Sequence, residues 1–212
     1  MTNPFKAPKI IQGGMGVSVS NWNLANTVSR LGQMGVVSGT ALDTVLVRRL
    51  QLGDPDGSMR RALSHFPWPK MVQRVIDQYF IPGGKAPDKQ FKLLSMPSLD
   101  LKRPVVELLM LSNFAEVFLA KEGHSGQVGI NYLEKINFPT LPSLLGAMLA
   151  GVNFILMGGG IPLAIPGVLD SLANWEPVEL SAPAEDNPDH QAYTQTLDPR
   201  EICPEPLPAL ER

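Results

Sequence analysis

The chain has 212 residues, of which 44% are hydrophobic, with a mean hydropathy of +0.02 and a formal net charge of -2. These values are typical of one soluble domain of ordinary size and exclude an intrinsically disordered chain, while the near-neutral charge offers no basic patch for nucleic acid. The single cysteine, Cys203, excludes an internal disulfide framework, and an N-terminus without an apolar signal core predicts a cytoplasmic protein.

The N-terminal part of the chain predicts a strand, a helix and a second strand in close succession. Residues 9–13 form a β-branched run bounded by proline and glycine, and residues 34–38 form a second short apolar run. Between them, apolar residues recur at helical spacing from an asparagine cap, Asn21 or Asn23, to about Arg30. A strand, helix and strand within about thirty residues predict a βαβ unit with a parallel pair.

The next part of the sequence is mostly helical. Helical spacing predicts helices over about 40–52, within "MRRALSHF" and "KMVQRVIDQYF", and over about 102–122. The last helix contains an apolar stretch that is interrupted by Glu107 and Glu116 and is shorter than the ~20 residues needed to span a bilayer. We therefore expect no membrane association, and we expect these two glutamates on solvated helix faces or at helix caps.

The alternating pattern resumes after this helical insertion. Residues 127–131 read as a strand, a helix begins near Thr140, "VNFILMGGG" reads as a fourth strand, and a helix follows to about Ala173. Beyond residue 176 prolines are frequent; "VELSA" is a candidate strand, and the rest is interpreted as extended and polar.

Alternating strands and helices predict an α/β protein with a parallel sheet, either an open doubly wound sheet or a (β/α)8 barrel. A barrel takes ~250 residues and eight strands, so this chain would hold about the N-terminal half of one, with a helical insertion between strands two and three. On this hypothesis residues 1–175 form a partial barrel and residues 176–212 form a Pro-rich extended segment.

Small residues follow or end all four predicted strands. They are Gly13-Gly14-Met15-Gly16, Ser38-Gly39-Thr40, Asn131 and Gly158-Gly159-Gly160. The carboxyl ends of parallel strands share one edge, where ligands bind, so these residues predict a bare floor suited to a planar cofactor. The alternative is that the glycines only make tight turns. A dinucleotide fingerprint is disfavoured because position 19 is valine and no acidic residue ends the second strand.

Several of these stretches resemble the nitronate monooxygenase family, formerly called 2-nitropropane dioxygenases. "PKIIQGGMG" followed by "NLANTVSRLGQMGVVSG" is similar to the start of that family, "VGIN" to its third strand and "GAMLAGVNFILMGGGIP" to its fourth. Its relatives include flavin-type enoyl-acyl carrier protein reductases and the enoyl reductase subunits of polyunsaturated fatty acid synthases. The resemblance covers residues 8–173 and looks closest to the synthase-associated branch.

The resemblance implies an FMN-binding (β/α)8 barrel. The backbone at Gly13, Gly14 and Met15 would lie against the flavin, and Asn131 would contact FMN at the end of the third strand. The family's phosphate-binding glycines and its catalytic histidine lie in later strands, and nothing after Ala173 resembles them. We therefore expect an N-terminal fragment, and no catalytic residue is assigned.

Three functions remain open at this point. The resemblance implies an FMN-dependent oxidoreductase that oxidises alkyl nitronates with dioxygen, or reduces enoyl thioesters with a nicotinamide donor. The alternative is a non-catalytic half-barrel that self-associates or binds a partner chain through its exposed edge. A phosphate-binding barrel without flavin is the third. His65 is interpreted as a helix-end or surface residue, and His124 as a loop residue on the face opposite the proposed site. His190 has no partners at metal-ligand spacing, so no metal site is predicted.

Overall fold

The computed structural model describes residues 7–182 and 193–211 of the chain. These residues form a mixed α/β fold with a three-stranded parallel sheet and a separate antiparallel hairpin. The strands are β1 (Gly35–Ser38), β2 (Val128–Leu133), β3 (Phe154–Gly158), β4 (Val178–Ala182) and β5 (Tyr193–Leu197). The helices are α1 (Trp22–Arg30), α2 (Leu42–Gln51), α3 (Ser58–Leu63), α4 (Pro69–Tyr79), α5 (Arg103–Lys121), α6 (Thr140–Leu149), α7 (Ile165–Ala173) and α8 (Pro199–Ile202).

The strands of the parallel sheet stand in chain order, β1–β2–β3. Ser38 of β1 lies beside Asn131 of β2, which lies beside Leu156 of β3, so all three strands point the same way and end at one edge. The prediction of an α/β protein with a parallel sheet is confirmed. The predicted helical insertion is also present, as α2 to α5 between β1 and β2.

The predicted first strand, residues 9–13, is reduced to a single parallel bridge between Ile11 and Met34. The Gln12 N–H donates to the Met34 carbonyl at 3.0 Å, as a strand residue would. The ladder then stops because a side chain takes the place of the main chain: Gln12 Oε1 accepts from the Val36 N–H at 3.0 Å. The prediction of a full strand here is wrong, since a side-chain acceptor followed by two glycines ends the pairing.

Helices cover one face of the sheet and bury the main core against it. Val37, Ile130 and Tyr132 point to this face and belong to the core cluster. Helix α1 packs directly on the backbone of β1, because a Cβ placed on Gly35 would lie only 2.0 Å from the Ala25 carbonyl oxygen. The α1 N-cap is Asn21, one of the two predicted candidates, whose side chain accepts from the Leu24 N–H at 3.1 Å.

The loop at residues 13–20 covers part of the opposite face. Gly14 of this loop packs on Val36, and Met15 contacts Asn131. All five residues of the edge strand β3 remain only half-buried. This face is therefore closed at β1 and β2 by a loop rather than by a helix, and it is more open at β3.

Helix α5 is buried around most of its circumference, and its two glutamates differ from expectation. Glu107 and Glu116 are each 3% exposed. Glu116 Oε1 accepts from the Trp22 N–H at 2.7 Å and so caps α1, while Glu107 pairs with Arg74 at 2.6 Å and with Arg103 at 2.9 Å. The expectation of solvated faces is wrong, because Glu107 pairs with two arginines and Glu116 accepts from a backbone N–H 94 positions away. In the described part of the chain, no helix is both long and apolar enough to cross a membrane.

The C-terminal segment contains more structure than the sequence predicts. The candidate strand "VELSA" is confirmed as β4, and it pairs antiparallel with β5 in a stretch interpreted as extended and polar. The segment folds back on the helices: Trp68 Nε1 donates to the Pro204 carbonyl at 2.7 Å, and Trp175 Nε1 to the Pro208 carbonyl at 2.9 Å. The sequence does not predict β5, because its residues are mostly polar and the strand forms through its pairing with β4. The boundary near residue 175 stays a prediction.

Candidate functional site

The residues predicted to hold a cofactor meet at the carboxyl edge of the sheet. Asn131 Nδ2 lies 3.2 Å from Met15 Sδ, although the two residues are 116 positions apart. The Met15 side chain also reaches β3, because a Cβ built on Gly158 would lie 3.5 Å from Met15 Cε. The loop after the first predicted strand therefore contacts the ends of β2 and β3, which is the convergence that the sequence predicts.

The first two glycines of the loop, Gly13 and Gly14, serve different purposes. A Cβ at Gly14 would lie 2.5 Å from Val36 Cγ1 and 2.8 Å from the Val37 carbonyl oxygen, so only glycine allows the loop to approach β1 so closely. A Cβ at Gly13 would meet nothing within 4 Å. Gly13 is instead held by its carbonyl, which accepts from Ser20 Oγ at 3.0 Å. Gly14 thus fixes the loop on the sheet, and Gly13 leaves bare backbone at the surface.

Asn131 is buried on the loop-covered face, with 8% of its surface exposed. Its Nδ2 also donates to the Tyr132 carbonyl at 3.1 Å. The Tyr132 hydroxyl, on the opposite face of β2, lies 2.9 Å from Asn113 Oδ1 and 3.1 Å from the Ser143 carbonyl oxygen, and its one proton can be donated to either. Burial raises the pKa of Tyr132 well above its ordinary value, so this hydroxyl stays neutral and ties β2 to α5 and α6. The strand residue next to Asn131 is therefore fixed to two helices.

Ser38 is a polar residue of this edge that was grouped with the small strand-end residues but was given no role of its own from the sequence. It is 2% exposed and lies in register beside Asn131, on the same face of the sheet. Its Oγ has no hydrogen-bond partner among the described residues. The signal was available in the sequence, because Ser38 ends the second predicted strand as Asn131 ends the third. A hydroxyl without a partner is visible only in the folded structure.

Two glycines of the triplet at the end of β3 differ in the space available beside them. Gly159 adopts a positive φ of 81°, which favours glycine, and a Cβ there would meet nothing within 4 Å. A Cβ at Gly160 would instead collide with the Glu134 carboxylate. This carboxylate places negative charge beside the triplet, so the turn suits a neutral ring better than a phosphate group.

Two cavities flank the floor and were not predicted from the sequence. One of about 460 Å³ opens beside the ends of β1 and β2. Most of its lining is apolar, including Leu109, Ile136 and Phe138, and Asp43 and Lys135 contribute opposite charges. The other, of about 340 Å³, lies beyond β3 and is lined in part by Leu163. Both cavities use the loops that follow the strands, which is where parallel α/β folds bind ligands.

The remaining candidate groups do not belong to this edge. His124 precedes β2 and bonds to α5 and its own loop: Nδ1 accepts from the Gly126 N–H at 3.0 Å, and Nε2 lies 2.8 Å from the Ala120 carbonyl. His65 is exposed and stacks on Phe118 with ring centroids 4.5 Å apart. These positions confirm the loop and surface roles predicted for them. His190 lies outside the described residues.

Cys203 is buried, and burial raises the pKa of its thiol to about 12, so it is not a nucleophile at neutral pH. Among residues 7–182 and 193–211, no three His, Cys, Asp or Glu side chains are grouped closely enough to hold a metal ion.

Comparison of the chain with protein-family models, with curated proteins and with solved structures found no match. The resemblance to nitronate monooxygenases therefore depends on the motifs quoted above, and functional arguments depend on the geometry of the strand edge.

Proposed function

We propose that the chain is an FMN-binding oxidoreductase of the nitronate monooxygenase and enoyl reductase type. The observation that carries this proposal is the meeting of Met15 and Asn131 at the carboxyl edge of a parallel sheet. Both residues were assigned to the flavin from sequence motifs alone. Their 3.2 Å contact supports that assignment, because residues that hold one ring must lie within reach of it.

The proposed architecture is the N-terminal half of a (β/α)8 barrel. The sheet order β1–β2–β3 follows the chain, as in a barrel, whereas a doubly wound sheet reverses its order at a switch point. Residues of α1, α5 and α6 all contact the same face of the sheet, which corresponds to the outer layer of helices in a barrel. On this proposal the loop-covered face would be the barrel interior.

The described residues fit a flavin ring better than a complete FMN. The exposed backbone at Gly13 and Met15 would lie along the ring, and the Asn131 amide would hydrogen-bond to a polar ring edge. Glu134 beside Gly160 disfavours a phosphate at the β3 turn. When bound, FMN would supply electron transfer through N5 of its ring. The part of this chain would be to position the ring and to exclude water from one side of it.

The substrate would be an alkyl nitronate, oxidised with dioxygen, or an enoyl thioester, reduced with a nicotinamide donor. The 460 Å³ cavity beside β1 and β2 supports the thioester, because its lining from Leu109, Ile136 and Phe138 suits an acyl chain of several methylenes. A small nitronate would leave most of this apolar surface without contact.

The direct test is a titration of the purified chain with FMN, in which quenching of flavin fluorescence measures binding. We expect saturable binding, weakened about tenfold in Asn131→Ala by loss of a buried hydrogen bond. The matched control is Asn174→Ala at the C-terminal end of α7, where the amide donates to the Asp170 carbonyl, and we expect binding there to be unchanged. Wild-type protein that leaves FMN fluorescence unquenched would refute the proposal.

The second candidate is a non-catalytic half-barrel that associates with another chain. Ile161 and Leu163, just after β3, are 78% and 86% exposed, and β3 itself is half-buried at the edge of the sheet. Exposed apolar residues beside an open strand edge favour association between chains. A colourless chain that associates with itself and does not bind FMN would support this candidate over the first.

A further inference from the structure

We propose that Ser38 is a second hydrogen-bonding contact for the ring of the bound ligand, acting beside Asn131, and that the Met15 side chain is a displaceable cover over Asn131. This inference rests on the proposed function and extends it, since neither the family resemblance nor the motifs assign Ser38. The Ser38 hydroxyl and the Asn131 amide are named together here as the polar pair.

The hydrogen bonding of the Ser38 hydroxyl supports this role. The hydroxyl is buried and has no hydrogen-bond partner among the described residues, and a buried hydroxyl without a protein partner lowers the stability of the fold. Other buried serines nearby have partners: Ser29 Oγ donates to the Gln127 carbonyl at 2.6 Å, and Ser112 Oγ to the Leu109 carbonyl at 3.0 Å. Alanine at position 38 would leave no unpaired polar group, so we assign the hydroxyl a partner that arrives with the ligand.

The position of Ser38 beside Asn131 also supports this role. Ser38 and Asn131 are paired across adjacent strands, so their side chains stand on one face about 4.8 Å apart. A hydroxyl can donate or accept and an amide can do both, so the polar pair matches a ring edge that presents adjacent carbonyl and N–H groups. The isoalloxazine ring has such an edge, which a simple apolar ring does not.

The contact and exposure of the Met15 side chain also support the proposal. Its thioether is a weak acceptor for Asn131 Nδ2, and its side chain is 58% exposed. An unbranched and exposed side chain can adopt another rotamer at small cost. The backbone of Met15 is predicted to contact the ring, and its side chain can leave Asn131 when the ring arrives.

The experiment compares Ser38→Ala with wild type in two measurements that should move in opposite directions. Without ligand, Ser38→Ala removes a buried hydroxyl that has no partner, so we expect the melting temperature to rise by about 2–4 °C. In titrations with FMN, we expect the dissociation constant to rise about tenfold. Riboflavin should show the same fold-change, because the contact is to the ring and not to the phosphate.

The matched control is Ser112→Ala, a serine with the same 2% exposure whose hydroxyl has a protein partner. We expect it to lower the melting temperature and to leave flavin affinity unchanged. Unchanged FMN affinity in Ser38→Ala, or a loss confined to FMN and absent with riboflavin, would overturn the role of Ser38 while leaving the flavin assignment intact. A lower melting temperature in Ser38→Ala would overturn it too, since the hydroxyl would then have a protein partner. If wild type binds neither flavin, the proposed function and this inference both fail.

Discussion

At the scale of single residues, the packing of the loop on β1 depends on Gly14 and not on the neighbouring Gly13. Gly14→Ala would place a Cβ 2.5 Å from Val36 Cγ1, and we expect it to cost about 1–3 kcal/mol of unfolding free energy through overpacking. Gly13→Ala meets open space and serves as the control, with an expected change near zero. Chemical denaturation of both variants makes the comparison. Equal stability of the two would show that the loop does not pack on β1 as described.

Glu116 predicts a pH dependence. Burial raises the pKa of this carboxyl above its ordinary value, so the folded protein holds the proton more tightly than the unfolded chain does. Its stabilising contribution is therefore complete below the unfolded pKa and is lost as pH rises through the folded pKa. Glu116→Gln cannot ionise, and its amide oxygen can still accept from the Trp22 N–H. We expect this variant to melt above wild type near neutral pH.

The difference between Glu116→Gln and wild type should vanish as pH falls below the unfolded value of about 4.3, where both side chains are neutral. Thermal melts across pH measure it, with the exposed Glu176→Gln as a control that should follow wild type throughout. A constant difference at every pH would show that packing, and not ionisation, separates the two proteins.

Cys203 predicts slow chemical labelling. With a thiol pKa of about 12, roughly one Cys203 in ten thousand is a thiolate at about pH 8, and its side chain is also buried. Iodoacetamide should therefore label the native protein far more slowly than the urea-unfolded chain, as mass spectrometry would measure. Comparable rates would mean that the segment carrying Cys203 does not stay folded on the helices.

At the scale of secondary-structure elements, the contact between α5 and α6 depends on Gly146. A Cβ there would lie 2.2 Å from the Met110 carbonyl oxygen, which belongs to backbone and cannot move aside alone. We expect Gly146→Ala to cost about 3 kcal/mol by forcing the helices apart. Gly167→Ala in α7 meets nothing within 4 Å and should instead stabilise the protein by about 0.5–1 kcal/mol through helix propensity.

Denaturation curves of these two alanine variants should therefore shift in opposite directions. A stabilising Gly146→Ala would contradict the close packing of α5 on α6. Helix propensity alone predicts that both substitutions stabilise, so the pair separates a local effect from a tertiary one.

At the scale of the whole molecule, the exposed apolar residues after β3 predict self-association. Leu163→Lys should reduce it, because a charge would have to be buried in the contact. Leu31→Lys is the control: Leu31 is 75% exposed, but it follows α1 near the amino end of β1, at the opposite edge of the sheet. Sedimentation velocity over a range of concentrations measures the effect. A monomer at every concentration, or equal effects of the two variants, would rule out association through this edge.

The sequence by itself determined most of the helices and strands, but not the short pairing of residues 9–13 or strand β5. The spacing from Asn21 to Arg30 predicts α1, and the apolar run in 34–38 predicts β1, because helix and strand periodicity depend on neighbours within a few residues. It also indicated that small residues end the strands, and so it selected Gly14 and Asn131 before their contacts were visible.

Only the tertiary structure decided what those elements contact. Gln12 ends a strand early with its side chain, Glu116 caps a helix 94 positions away, and β5 exists because β4 pairs with it. The Ser38 hydroxyl became notable only once no partner was found beside it. The physical reason is common to all four: a hydrogen bond or a close contact depends on atoms that are distant in the chain, and no local pattern of residues encodes their positions.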